Sequence, residues 1–345
     1  AIAVLIITCP CALGLATQRL RTVASGAMFR AGVLLNAGDA IERVAEIDRI
    51  IFDKTGTLTL PELDVVNSAE IPGDLFELAG RLALASHHPV AAAVARASGA
   101  KAPIAGAIEQ PGQGVRAFVD GVEIRLGRPS FCGADRIAND ILVRDPEVSA
   151  VAFSRGDERH VFAVRQRLRP DAPAMIGALQ ARGIATEIVS GDREPAVRAA
   201  AQMLGISEWR AGVTPADKIA RIEDLKRQGS KVMMVGDGLN DAPALAAAHV
   251  SMSPISAAHL SQATADLVFL GQPLAPVVAA VDYSRKALAL MRENLWLAIG
   301  YNFLAVPIAI AGLVTPLIAA VAMSGSSILV MLNALRARNA TPRRP

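Results

Sequence analysis

Apolar residues are spread unevenly along this chain. Three stretches contain no Asp, Glu, Lys or Arg: Ala1–Gln18, Leu295–Leu313 and Val314–Leu335. Each approaches the ~20 residues that carry a helix across a bilayer. The last two are separated only by the Gly312–Pro316 region, which predicts a helical hairpin with a very short connection. Between the apolar ends the pattern changes. Short apolar runs at Arg49–Phe52, Thr186–Val189, Val232–Val235 and Asp266–Leu270 alternate with helical signals. Asp171–Arg182 is closed by Gly183, and Thr214–Gln228 carries Thr214 as N-cap, Pro215 at the first helical position and Gly229 as terminator. This alternation predicts an α/β, doubly wound sheet.

Residues 61–168 interrupt the alternation. Helical stretches at Leu75–Ala85 and Val90–Ala97 precede two hairpins, Val115–Leu126 turning at Asp120-Gly121 and Ala150–Val164 turning near Gly156. The segment reads as an inserted antiparallel α+β domain. The pattern thus predicts a truncated transmembrane helix at 1–22, a sheet domain split into 23–60 and 169–285, the insertion at 61–168, two transmembrane helices within 286–336, and a tail at 337–345.

Charge fixes the orientation. Arg19, Arg21 and Arg30 follow the first apolar stretch, and Arg336, Arg338, Arg343 and Arg344 follow the last. The positive-inside rule therefore places the residues between about 23 and 285 in the cytosol. The first stretch has neither a charged start nor a small-residue cleavage site, so it does not read as a signal peptide. The whole chain has 345 residues, 52% of them hydrophobic, and a formal charge of only +3 without basic runs interleaved with aromatics. Nucleic-acid binding has little support in such a pattern. Of three cysteines, Cys9 and Cys11 are too close for an easy disulfide and Cys132 stands alone as a small core residue or an incidental surface thiol.

The candidate chemistry sits where the apolar runs end, which in an open α/β sheet is where ligands bind. Asp53 ends the first run in Asp53-Lys54-Thr55-Gly56-Thr57-Leu58-Thr59. Two later runs end in Ser190-Gly191-Asp192 and Gly236-Asp237-Gly238-Leu239-Asn240-Asp241, and the helix between them carries Lys218. A carboxylate accepts a phosphoryl group only if the charge of both partners is neutralised, which calls for a magnesium ion and a lysine. Asp53, Thr55 and Asp237 are the candidate magnesium ligands, Lys218 the phosphate counter-charge, and Ser190, Thr55 and Asn240 the hydrogen-bond donors. Gly56, Gly191, Gly236 and Gly238 allow close backbone approach to phosphate. Asp241 completes the catalytic set, with Asp192 beside the phosphate.

These motifs, DKTGTLT at 53–59, SGD at 190–192 and GDGLNDAPAL at 236–245, resemble those of the P-type ATPases of the haloacid-dehalogenase superfamily. The resemblance extends from the first apolar stretch to about Arg336. It implies that the sheet is a phosphorylation domain and the insertion a nucleotide-binding domain, with magnesium as cofactor and ATP as substrate. Ser190 stands where the family usually has Thr. In the insertion, His87-His88-Pro89 and Gly112-Gln113-Gly114 resemble the nucleotide-binding elements of heavy-metal pumps, which makes His88, Gly112 and Gly114 the expected nucleotide contacts. His87 departs from the family, which carries an acidic residue there.

Within the first apolar stretch, Pro10 opens the helix between two thiols, Cys9 and Cys11. Soft ligands of that kind suit copper(I) better than magnesium or calcium. The pattern resembles the Cys-Pro-Cys heavy-metal subfamily, which transports copper, silver, zinc, cadmium or lead. Tyr301 and Asn302 in the second stretch, and Met323, Ser326 and Ser327 in the third, resemble the membrane signatures of its copper(I) branch, although small residues there also serve helix packing.

The expected function is therefore ATP-driven copper(I) transport through a phosphoaspartate, with the enzyme integral to a membrane, the bacterial inner membrane by expectation. The alternatives are a zinc or cadmium pump, a membrane-anchored aspartyl phosphatase, and a non-catalytic metal-binding remnant. Thr55 occupies the place where such phosphatases usually carry a second acid. Expected partners are membrane lipid, a soluble copper chaperone and an N-terminal part of the same pump. That last expectation comes from the lack of a Thr-Gly-Glu dephosphorylation motif and of earlier spans in the sequence, which also predicts an incomplete transport cycle.

Overall fold

The short apolar runs between the charge-free ends become strands of a buried sheet. The computed structural model of the chain describes residues 11–237, 241–257 and 259–339. In chain order the strands are β1 (Val33–Leu35), β2 (Arg49–Phe52), β3 (Thr59–Val65), β4 (Ile108–Gln110), β5 (Gly114–Val119), β6 (Val122–Gly127) and β7 (Ser149–Arg155). They continue with β8 (Glu158–Leu168), β9 (Ala185–Val189), β10 (Glu208–Arg210), β11 (Val232–Val235), β12 (Val250–Pro254) and β13 (Leu267–Phe269). Contacts divide the chain into two units: residues 1–53, 170–187 and 214–345 form one, and residues 54–169 and 188–213 the other.

In the first unit the strands run in the order β1-β13-β12-β11-β2-β9. The pairs β2/β11, β11/β12 and β12/β13 are parallel, and β1 closes the edge antiparallel to β13. Ile50, Ile51, Phe52 and Val232 to Val235 are all essentially inaccessible, as expected of a parallel sheet covered on both faces. β12 escapes hydrophobic pattern reading because it carries Ser251 and Ser253 in the core. Asp266 satisfies Ser251, accepting from its backbone N–H at 2.9 Å and its Oγ at 3.0 Å. Arg43 donates to the same carboxylate.

The helix Pro215–Arg227 starts as its sequence predicts. Asp217 N–H donates to Thr214 Oγ1 at 3.2 Å and Thr214 N–H donates back to Asp217 Oδ2 at 2.9 Å. This reciprocal box fixes the first turn.

The second apolar stretch does not form a separate element. It is the distal part of one helix, Ala275–Ile310, of 36 residues and about 54 Å at the usual rise. Charged residues such as Asp282, Arg285 and Glu293 interrupt the apolar pattern, yet the backbone continues through 285–286, where the sequence pattern put a domain edge. Its proximal part is buried through Val277, Ala280, Val281 and Ala287. Its distal part exposes Trp296, Phe303 and Ile310. The helix Pro316–Leu335 likewise exposes Leu317 and Leu329, and the two meet where Ala309 and Ala319 allow close approach. Both are long and apolar enough to cross a membrane. The helix Cys11–Arg30 packs against both of them, with Arg19 Nη1 donating to Met331 Sδ at 3.2 Å. The first ten residues of the first apolar stretch lie outside the described residues.

In the second unit an antiparallel sheet runs β3-β8-β7-β6-β5-β4. The helices Gly73–Ala83 and Pro89–Ser98 cover one face, packing Leu78, Leu82 and Val94 into a core with Phe153 and Phe162. Cys132, Ala138, Ala152 and Val161 form a smaller cluster. Cys132 is thus a core residue, and burial pushes its thiol up to about 11. Both predicted hairpins form. Asp120 and Gly121 turn the first with positive φ at both positions, the conformation a two-residue hairpin needs. β3 begins at Thr59 and pairs it with Leu168, so the sheet reaches slightly beyond 61–168. Residues 188–213 add the helix Glu194–Leu204 and β10 to this unit.

Candidate active site

Four charged side chains converge at the end of β2 and β11. Lys218 Nζ donates to Asp53 Oδ1 and to Asp241 Oδ1, both at 2.6 Å. All three are buried. Burial works against the Lys218 charge, but the Asp53 and Asp241 carboxylates outweigh it and hold Lys218 above its ordinary value. Asp237 is half-buried, and one carboxylate oxygen each of Asp53, Asp237 and Asp241 lie within 4.8 Å of one another.

Local structure explains the convergence. Asp53 N–H donates to Val235 O at 2.8 Å, which carries the β2/β11 register one residue past the strands. Asp241 precedes the helix Ala242–Ala247 and rests against Gly236, where an added Cβ would meet Asp241 Oδ2 at 2.9 Å. Lys218 stands one turn into its capped helix, its N–H bonded to Thr214 O at 3.1 Å.

Hard carboxylate oxygens from Asp53, Asp237 and Asp241 lie close enough together to share one ion, a donor set that suits a divalent cation such as magnesium. The donor set fits the expected ion.

Asn240 and Gly238 lie outside the described residues, as does Cys9. Cys11 begins a described helix.

The second unit holds the other phosphate-site candidates. Gly56 takes φ +69 in the loop after Asp53, and Gly56 N–H donates to Thr59 Oγ1 at 3.0 Å. Thr55 sits beside it with ψ 125. Arg169 is fully buried against this loop, donating from Nε to Thr57 O at 2.7 Å and from Nη2 to Gly56 O at 2.9 Å. Lys54 ion-pairs with Asp192, which ties the DKTGTLT loop to Ser190-Gly191-Asp192. Burial tends to raise the Asp192 carboxyl, but the Lys54 ammonium overrides it and holds the group below the usual range. Ser190 Oγ accepts from Asp192 N–H at 3.2 Å.

His88, Gly112 and Gly114 line one cavity of about 250 Å³ in the second unit. His88 caps the helix Pro89–Ser98, its Nδ1 accepting from Val90 N–H at 3.3 Å. Gly114 faces Gly127 across β5/β6, and a Cβ on Gly114 would lie 2.2 Å from Leu126 O. The backbones approach so closely there that only glycine fits either position.

Tyr301 and Asn302 lie on the long helix, and Met323 and Ser326 on the following one. Tyr301 is partly buried, and its hydroxyl finds no partner among the described residues. Asn302 Nδ2 donates to Ala298 O, and Ser326 Oγ to Met323 O, so these two polar groups are satisfied within their own helices.

Sequence reasoning missed Arg169, Glu187 and Gly127. Glu187 lies in the predicted run Thr186–Val189, where an acidic residue in an otherwise apolar strand was a legible signal. Arg169 carried none, because a lone arginine at a loop usually reads as solvated.

A haloacid dehalogenase-like hydrolase family profile matches residues 47–249. The nitrogen fixation protein FixI of Bradyrhizobium diazoefficiens is 75% identical over 338 residues, covering 98% of this chain and 46% of the relative. A copper-exporting P-type ATPase of Mycobacterium tuberculosis is 36% identical over 348 residues, covering 98% of this chain and 46% of its own length. The crystal structure of a zinc-transporting PIB-type ATPase in its E2.Pi state superposes with a TM-score of 0.83 at 31% identity, covering 96% of this chain and 57% of that one. The chain spans about half the length of the curated relatives it matches. By the family profile and these likenesses, the chain belongs to the haloacid dehalogenase-like hydrolases and, within them, to the heavy-metal P-type ATPases.

Proposed function

We propose that this chain carries the catalytic half of an ATP-driven copper(I) pump that passes through a phosphoaspartate at Asp53. The observation that carries the reading is the buried Asp53–Lys218–Asp241 triad with Asp237 beside it. The Lys218 ammonium fixes the Asp53 carboxylate and offsets the negative charge that an incoming phosphate brings. An Asp53 oxygen then attacks the γ-phosphorus of ATP, forming an O–P bond as the bond to the bridging oxygen breaks and ADP departs. Asp241 holds Lys218 from its other side. Asp53 and Asp237 would hold magnesium, which when bound adds positive charge at the transferred phosphoryl group. The cavity bordered by His88, Gly112 and Gly114 would take the nucleotide.

Copper(I) rests on Cys9 and Cys11 around Pro10 as soft ligands, and on likeness to a copper-exporting relative. The superposition on a zinc-transporting structure supports zinc as the second reading. The two exposed apolar helices fit placement in a bacterial inner membrane, with the catalytic residues on the cytoplasmic side. A copper chaperone as donor and further chain supplying dephosphorylation complete the proposal.

The test is acid trapping after incubation with γ-labelled ATP and magnesium. The unaltered chain should retain hydroxylamine-labile label, and Asp53→Asn none. Label persisting in Asp53→Asn would overturn the assignment. For the cargo, copper(I) should bind the chain in detergent and lose most of its affinity in a Cys9→Ser, Cys11→Ser double variant. Tighter binding of zinc than of copper(I) would favour the second reading.

A further inference from the structure

The cavity assigned to the nucleotide is chemically lopsided. Its walls are apolar, including Val90, Val115, Leu126 and Val151, and Gly112, Gly114 and Gly127 line it without side chains. Two charged side chains border it, Glu109 and Arg128. Glu109 does not swing freely. Ser86 Oγ donates to its Oε1 at 2.6 Å while accepting from His88 N–H at 3.1 Å. One carboxylate oxygen is thereby anchored to the turn that caps the His88 helix, and the other remains available as an acceptor.

We infer that Glu109 reads the amino group of the purine base, with Arg128 marking the phosphate side of the same cavity; this rests on the nucleotide reading above. An ionised carboxylate can only accept hydrogen bonds. Against the edge of a heterocycle it therefore selects an N–H donor, such as the exocyclic amine of adenine. It also repels a polyphosphate, so the phosphates cannot lie at Glu109 and belong beside the guanidinium. The sheet sets the spacing. Gln110, Gly114 and Gly127 are paired in register across β4, β5 and β6. Glu109 precedes and Arg128 follows the ends of that row, so they are offset by two strand spacings across the sheet and two residues along it, about 12 Å between their backbones. That is the reach from the amino edge of a purine to its first phosphate. The volume of about 250 Å³ holds a base and leaves the triphosphate outside. Neither residue falls in the His-Pro or Gly-x-Gly elements, so the inference adds a specificity residue that those elements do not contain.

The experiment compares ATP with purine riboside triphosphate, which is ATP without its 6-amino group, by titration calorimetry on the full chain in detergent. The unaltered chain should prefer ATP by about tenfold, the worth of one hydrogen bond to a charged acceptor. Glu109→Ala should bring that ratio close to one. Arg128→Ala should weaken both nucleotides by a similar factor and leave the ratio intact. An unchanged ratio in Glu109→Ala, or equal affinities in the unaltered chain, would overturn the inference while leaving the nucleotide site in place. Failure of the unaltered chain to bind either nucleotide would overturn the nucleotide reading and this inference together.

Discussion

Glu187 accepts two hydrogen bonds from Arg221, Nε to Oε1 and Nη2 to Oε2, each at 2.9 Å. Arg221 lies one turn beyond Lys218 on the same helix, and Glu187 is almost completely buried in β9. Arg49, at the start of the strand that ends at Asp53, reaches the same carboxylate at 3.3 Å. One acid therefore holds both the strand that ends at Asp53 and the helix that carries Lys218.

Breaking this clamp should misplace Lys218 without touching it. Removing one partner of a buried ion pair leaves an uncompensated charge and costs about 3 kcal/mol. Arg221→Ala should lower stability by roughly that amount in urea unfolding of the full chain, and slow phosphorylation of Asp53 at temperatures where the variant remains folded. Arg221→Lys, which keeps the charge but loses the planar fork, should recover little. A variant that loses neither stability nor phosphorylation rate would show that Glu187 and Arg49 position the helix unaided.

Lys218 carries a pH signature. Its pKa in the folded chain lies above the ordinary 10.5, because Asp53 and Asp241 outweigh the penalty of burial. A group whose pKa is raised on folding contributes stability that is complete below its unfolded value and lost as pH rises through its folded value. Alkaline unfolding above pH 10.5 should therefore carry a component from Lys218, and Lys218→Met should flatten that part of the curve. The same variant should give no trapped phosphoenzyme. If alkaline unfolding of Lys218→Met parallels the unaltered chain, the ammonium is not what couples these carboxylates to stability.

Much of this site was readable from the sequence because strand ends carry chemistry in an α/β fold, and runs such as Val232–Val235 locate those ends. Asp53, Lys218, Asp237 and Asp241 come together as their positions after strands and in a capped helix imply. The illegible part depends on contacts distant in sequence. Arg169 meets the loop at Thr57 and Gly56 from 112 and 113 residues away, and no local pattern marks it. β12 hides for a different reason: Ser251 and Ser253 are buried, and the Asp266 carboxylate that satisfies Ser251 belongs to another run. The length of the helix from Ala275 was obscured by its own charges, since Asp282 and Arg285 look like a solvated boundary until their partners are known.

Asp192 should give an acid signature of the opposite sign. Its carboxyl is held below the ordinary 3.8 because the Lys54 ammonium overcomes the effect of burial. A lowered pKa contributes stability that is present above the unfolded value and lost as pH falls through the folded one. The contribution should be intact at neutral pH and decline below about pH 3.8. Asp192→Asn should remove that acid-sensitive component and loosen the DKTGTLT loop, seen as faster amide exchange at Thr55 to Leu58. Unaltered exchange in those residues would mean that Arg169 alone holds the loop.

The long helix is fastened to the sheet unit by a second bidentate pair. Arg182 Nε and Nη2 donate to the two oxygens of Asp282 at 2.6 and 2.7 Å, and the bond to Asp282 raises the Arg182 pKa. Arg285 adds hydrogen bonds to Arg182 O at 3.2 Å and Ile47 O at 3.3 Å, and Asp171 Oδ2 accepts from Leu274 and Ala275 N–H at the helix start. None of these groups touches the Lys218–Asp53 contact, yet the same helix continues without interruption into its exposed apolar part. Asp282→Ala should therefore free the proximal turns while leaving the chemistry in place. Amide exchange across residues 279–290 should rise by about tenfold, as expected for a loss of ~1.4 kcal/mol in local stability, whereas exchange in Pro215–Arg227 and trapping of phosphate at Asp53 should stay close to those of the unaltered chain. Loss of trapping together with faster exchange in Pro215–Arg227 would show that the fastening supports the sheet itself. Unchanged exchange over residues 279–290 would show that Arg285 and Asp171 suffice to hold the helix.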